Sequence, residues 1–248
     1  MPDDVALPPR GAPVAFFDVD NTLLRGASIF HIAKAARRQR LITLVDILRF
    51  CWHQAVFLFI GENHRHLGSI RDRAMTLLGG YTEAELVVLA NEVFDRDLQS
   101  RLWPETVELA RAHQRKGHEV WLITATPQLI AQVIAERLGL TGALGTLLEA
   151  DNGVFTGRLV GDMLHGERKA VAARELTAEK NVDLEECWAY SDSRNDIPLL
   201  SLVGNRIVVN PDATLARHAS ACGWSVLRLN AASLRAERRR VRVRLTRT

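Results

Sequence analysis

A chain of 248 residues, 47% hydrophobic and 25% charged, has ordinary globular composition, which excludes fibrous, disordered and disulfide-rich classes. Three cysteines far apart, Cys51, Cys187 and Cys222, argue against a zinc ribbon or a disulfide framework and make a reduced, cytoplasmic setting the simplest expectation. The formal net charge of +3 is unevenly placed: residues 235–248 hold seven arginines against one glutamate, so the rest of the chain is net acidic.

The opening MPDDVALPPRGAP is proline-rich, with no apolar signal segment behind a basic one, and reads as a flexible arm over 1–13. Val14 to Asp18 is an apolar run closed by an acid, the pattern of a buried strand. Residues 27–98 then carry almost no strand signal. Ile29, Ile32, Ala33 and Ala36, then Leu41, Leu44, Val45 and Leu48, then Leu86, Leu89, Ala90 and Val93 recur at helical spacing, with glycines between them. This predicts a helical insert of about four helices.

The most apolar stretch, Leu41 to Ile60, is interrupted by Asp46, Arg49, His53 and Gln54. Its uncharged part falls short of the ~20 apolar residues that a membrane-spanning helix needs. Phe50, Trp52, Phe57, Leu58, Phe59 and Ile60 give it large apolar groups. The plain reading is a helix packed within the cap; the sharper one is an apolar lid or a membrane-facing surface. His64, Arg65, His66 and Arg71 read as a solvated basic patch, with contact to an anionic substrate as the alternative.

From residue 103 strands and helices alternate. A helix opens at Pro104 and ends near Gly117, followed by a buried strand from Val120 to Thr124. Thr126-Pro127 reads as an N-cap and first helical position, with Gly139 as the stop. Asp151-Asn152-Gly153 marks a hairpin within Leu147 to Val160. A helix from Gly166 to Thr177 follows, and Cys187 to Ser191, Ile207 to Val209 and Ser225 to Leu227 read as further strands. The class is α/β, a mainly parallel sheet with helices on both faces.

Ligands bind such sheets beyond the carboxyl ends of the strands. Asp18, Asp20, Thr124 and Asp192 fall at three predicted strand ends. Taken singly, each has an ordinary reading: strand-end aspartates cap helices, and Thr124 is one strand residue among many. As a set they suggest a shared site. Two carboxylates as close as Asp18 and Asp20 call for a cation, and Mg2+ suits them because it prefers oxygen ligands and keeps waters. Asp192 supplies a further oxygen and Asp196 supports it from behind. Lys169 offers a point charge for a phosphoryl group, and Thr124 with the helix that follows offers directed donors.

DVDNTL, LITATP, the lysine of GERKA and YSDSRNDIPLL occur in that order and at a spacing that resembles the haloacid dehalogenase superfamily, in particular its phosphoserine phosphatase-like branch. The resemblance implies a Rossmann-like core (14–26 and 99–230), an all-helical cap (27–98) and a basic tail (231–248). It implies a Mg2+-dependent phosphomonoester hydrolase in which Asp18 is the nucleophile and Asp20 the acid and base. Thr124, Ala125, Lys169 and Asn195 hold the phosphoryl group. Asp18, Asp20 through its carbonyl, and Asp192 hold the metal, with Asp196 behind them. The chain departs from phosphoserine phosphatases where they carry a glutamate nine residues after the nucleophile: that position is Ala27. The expected substrate is therefore a small-molecule or lipid-headgroup phosphomonoester other than phosphoserine. Phosphoserine phosphatase, a mutase of the same fold, and a membrane-associated regulatory protein with a vestigial site are the alternatives. The arginine-rich tail suggests peripheral contact with an anionic membrane, and no nucleic-acid partner is expected.

Overall fold

The computed structural model describes residues 10–38, 78–230 and 232. The first nine residues, the apolar stretch with Phe50 and Trp52, the patch from His64 to Arg71 and the arginine tail lie outside the described residues.

β1 (Val14–Phe17) is followed by α1 (Ser28–Arg38), α2 (Glu83–Val93), α3 (Pro104–Arg115), β2 (Glu119–Pro127), α4 (Gln128–Leu138) and β3 (Gly142–Thr146). The hairpin β4 (Leu148–Asp151) and β5 (Val154–Leu159) comes next. The chain continues through α5 (Glu167–Glu179), β6 (Trp188–Ser191), α6 (Ile197–Leu202), β7 (Asn205–Val209), α7 (Ala213–Ala221) and β8 (Ser225–Leu227). Six strands form one sheet in the order β3-β2-β1-β6-β7-β8, and every neighbouring pair is parallel.

β1 lies at the centre because VAFF suits burial on both faces. Ala15 and Phe17 join a core with α1, α2, α3 and α4. Val14 and Phe16 join the opposite core with α5, α6 and α7. Burying a side chain such as Phe16 contributes about 1.5–3 kcal/mol. Chain order reverses on either side of β1, with β2 on one flank and β6 on the other. The crevice beyond the carboxyl ends of β1 and β6 is thus the expected ligand position.

Several local expectations shift. β2 continues through Thr126 to Pro127, so Thr126 is a strand residue and α4 opens at Gln128. β3, GALGT, carries little strand propensity in sequence. Its glycines are required there: a Cβ on Gly142 would meet the Trp121 ring at 2.7 Å, and one on Gly145 would meet the Gln128 backbone at 2.7 Å. Only glycine allows so close an approach. The hairpin turn matches its sequence signal, with φ of 51° at Asn152 and 78° at Gly153, as a type I′ turn requires.

The described ends of the cap are tied to the core. α2 opens on a reciprocal cap between Thr82 and Glu85 and buries Leu86, Leu89, Ala90 and Val93. Just before it, Gly80 and Tyr81 pair with Phe155 of β5 through two 2.8 Å backbone hydrogen bonds. After it, the helix widens into a π-helical turn, Phe94–Leu98, and a 3-10 turn, Gln99–Arg101. The return strand then pairs Arg101 with Arg25 and Trp103 with Leu23. Among the described residues no helix is long and apolar enough to cross a membrane.

Candidate active site

Asp18 directly follows β1, and Asp192 directly follows β6. The strands are hydrogen-bonded neighbours, and the Asp18 amide donates to the Tyr190 carbonyl at 3.0 Å, so the two acids emerge side by side. Lys169 reaches them from the first turn of α5. Gly166 sets that helix's entry angle with φ 58° and ψ −126°, a backbone conformation that disfavours any side chain.

The centre is a buried charge cluster. Lys169 Nζ donates to Asp18 Oδ1 and to Asp196 Oδ2, both at 2.7 Å, and Ser191 Oγ donates to the same Asp196 oxygen at 2.6 Å. Asp18, Lys169, Ser191 and Asp196 are all buried. Burial pushes the Asp18 carboxyl up to about 7; the Lys169 ammonium pulls it down, while Asp196 and Asp20 push it further up. Burial, followed by the charges of Asp18 and Asp196, lifts Asp192 to about 8. Burial opposes the charge on Lys169, but Asp18 and Asp196 outweigh it and hold the ammonium above the usual lysine range. One ammonium therefore serves more carboxylates than it can neutralise.

Asp20 lies two residues beyond Asp18, in a loop closed by Asn21 and Gly26: the Gly26 amide donates to Asn21 Oδ1 at 3.0 Å, and Asn21 takes φ 58°. The first amide of α1, Ser28 N–H, donates to Asp20 Oδ1 at 2.8 Å. The Ser28 hydroxyl in turn lies 3.1 Å from that of Thr126. One serine thus ties the acid of the core loop, the cap helix and the end of β2 together.

The other sequence-predicted residues stand less directly on the cluster. Thr124 is buried and donates to Thr126 Oγ1 at 3.2 Å. Ala125 offers its carbonyl to Thr146 Oγ1 at 2.8 Å. Asn195 is exposed, its amide turned to Ser193 Oγ at 3.1 Å. Ser28, Ser191 and Asp212 carry no sequence signal for the site, and Thr126 reads in sequence only as a helix cap. Asp212 accepts the Arg194 amide at 2.8 Å and caps α7, and its own amide donates to the Asp192 carbonyl at 3.0 Å. Only its N-cap position ahead of Ala213 gives a sequence signal.

Among the described residues no three His, Cys, Asp or Glu side chains converge as a ready-made metal cage. The donors present are carboxylates and backbone carbonyls, which suit Mg2+ rather than a soft metal. Two observations fit a cation here: carboxyls raised by burial and then by neighbouring carboxylates at Asp18 and Asp192, and a buried Asp196 Oδ1 with no hydrogen-bond partner among the described residues.

A parallel α/β sheet with clustered acids and a lysine at its switch point defines a phosphoryl-transfer class of enzyme. Residues 15–201 match the model of the haloacid dehalogenase-like hydrolases, and the chain belongs to that family. It is 46% identical over 213 residues to a Mycobacterium tuberculosis protein, covering 86% of this chain and 69% of that one. That protein is named phosphoserine phosphatase SerB1 in one strain and a putative hydrolase in another. A probable phosphatase of the same species is 35% identical over 219 residues, covering 88% of this chain and 76% of its own. A crystal structure of a Bordetella pertussis protein of unknown function superposes with a TM-score of 0.77 at 28% identity, over 88% of this chain and 98% of the other. The chain is a phosphomonoester hydrolase of the phosphoserine phosphatase-like kind.

Proposed function

We propose that the enzyme is a Mg2+-dependent phosphatase that works through an aspartyl-phosphate at Asp18. The carrying observation is the shared ammonium: Lys169 contacts Asp18 and Asp196 at once, leaving one Asp18 oxygen for attack. That oxygen forms a bond to phosphorus as the ester P–O bond breaks. Asp20 gives its proton to the departing oxygen, and the alcohol leaves. Asp20, now a carboxylate, takes a proton from water, whose oxygen attacks phosphorus and releases inorganic phosphate and free Asp18. One carboxyl acting first as acid and then as base splits one hard displacement into two easier ones. Ser28 N–H keeps Asp20 aimed in both halves.

Lys169 supplies positive charge to the transferring group, and Thr124, Ala125 and Asn195 provide further donors. Asp18, the Asp20 carbonyl and Asp192 would hold Mg2+, with Asp196 behind them; bound there, it would offset negative charge on the phosphoryl oxygens.

The mycobacterial relative's name favours phosphoserine as substrate, whereas Ala27 removes the acid that would read an ammonium. We therefore assign a different phosphomonoester. The apolar run from Phe50 to Ile60 supports a lipid-linked one, and the arginine tail supports contact of a cytoplasmic enzyme with anionic membranes. The test is phosphate release from a panel holding phosphoserine, sugar phosphates and lysophosphatidate, with and without Mg2+. Release that ignores Mg2+, or persists in Asp18→Asn, overturns the mechanism.

A further inference from the structure

We infer that His31, with Arg101 beside it, forms the leaving-group subsite and selects esters whose alcohol carries an anionic or hydrogen-bond-accepting group over those carrying an ammonium. This rests on the phosphatase reading above. Ser28 and His31 are three residues apart on α1 and share a face. Ser28 binds the carboxylate of Asp20, the group that protonates the leaving oxygen. His31 thus lies one turn beyond Ser28 on the same side of that helix. Asp20 and Arg101 both act on it electrostatically.

His31 has no structural duty that accounts for it. Its Nδ1 is buried without a hydrogen-bond partner among the described residues and stands 3.8 Å from Asp97 Oδ1, beyond bonding distance. Asp97 is already satisfied by Arg38 at 2.7 Å, with Lys34 at 3.8 Å. Burial, then the Arg101 charge, keep the imidazole below its ordinary value, so it is neutral and can either donate or accept. Among the described residues, no acid lies within ion-pair distance of Arg101. At this junction Lys34, Arg38 and Arg96 stand against Asp97 and Glu92, Arg101 adds a fourth cation against the charge of Asp20, and Ala27 contributes none. The junction is net positive, which attracts a carboxylate and repels an ammonium.

The test compares kcat/KM for 3-phosphoglycerate and phosphoethanolamine in the presence of Mg2+. Wild type is expected to prefer the anionic ester by about tenfold or more. His31→Ala and Arg101→Gln are each expected to lower that ratio several-fold, mainly by raising KM for 3-phosphoglycerate, with His31→Gln restoring part of it. Phe30→Ala, on the exposed side of the same turn, should keep the ratio. A wild-type ratio at or below one, or variants that slow both esters equally, overturns the inference and leaves the phosphatase standing. Failure of wild type to release phosphate from any ester overturns the phosphatase reading itself.

Discussion

Two buried polar clusters hang on the same pair of strands and solve opposite problems. At the carboxyl ends of β1 and β6, Asp18 and Asp196 crowd around the Lys169 ammonium, with Ser191 bonded to Asp196. Beneath it, Phe17 and Tyr190 stack with ring centroids 4.1 Å apart. The Tyr190 hydroxyl lies 2.8 Å from His113 Nε2, and His113 Nδ1 lies 2.9 Å from His118 Nδ1. Burial, then His118 and Lys116, push His113 down to about 4, so the second cluster is neutral throughout. Its polar atoms are matched in pairs; those of the first are not. Buried charge that is incompletely compensated favours an incoming cation or phosphoryl group, whereas a matched neutral network favours only the fold.

The sharpest way to break this contrast is Asp18→Asn. Turnover should fall by about a thousandfold or more, while the melting temperature holds or rises, because one of the competing carboxylates is gone. Loss of activity together with loss of fold would make Asp18 structural. Lys169→Met should be harmful on both counts: activity down about a hundredfold or more, and stability down by roughly 3–5 kcal/mol from stranding Asp18 and Asp196, measured by phosphate release and urea unfolding.

Cation binding sharpens the comparison further. Asp18 and Asp192, raised to about 7 and about 8, keep protons that the unfolded chain gives up near its ordinary value of 3.8. Their contribution to stability therefore falls as pH climbs from about 4 to about 8. Mg2+ should raise the melting temperature more at pH 8, where fewer protons have to be displaced, than at pH 5. An equal rise at both would place the cation elsewhere.

The smallest effect belongs to the neutral cluster. His113→Leu should cost about 1–3 kcal/mol by stranding the Tyr190 hydroxyl, with turnover at permissive temperature retained. His113 titrates near 4 when folded and near its ordinary 6.5 when unfolded, so it stabilises fully above 6.5 and loses that contribution as pH falls towards 4. The variant should show a flatter acid limb in thermal melts from pH 7 to 4.

Sequence carried the charged cluster better than the neutral one. Asp18, Asp20, Asp192 and Lys169 lie in segments whose spacing points to one end of one sheet, and a chemical need groups them. Nothing comparable marks His113 and Tyr190, which are 77 residues apart and meet only once β1 and β6 pair and α3 packs beneath them. Ser28 was equally hidden, since its role comes from a backbone amide and a hydroxyl that many residues share. β3 went unread because its glycines, usually breakers, are needed by neighbours that only the folded sheet supplies. Thr126 looked like a helix cap because Thr-Pro commonly is one; here its hydroxyl meets Ser28 and Thr124 instead.

The backbone ladder between Gly80-Tyr81 and Phe155 also has an evolutionary consequence. Caps in a modular enzyme can be exchanged as units only if their seams are clean, and this seam runs through the β4–β5 hairpin. A graft that replaced residues 27–98 alone would leave the Phe155 amide and carbonyl bare unless the incoming cap restored the pairing. Hairpin and cap should therefore be inherited, and engineered, as a single piece.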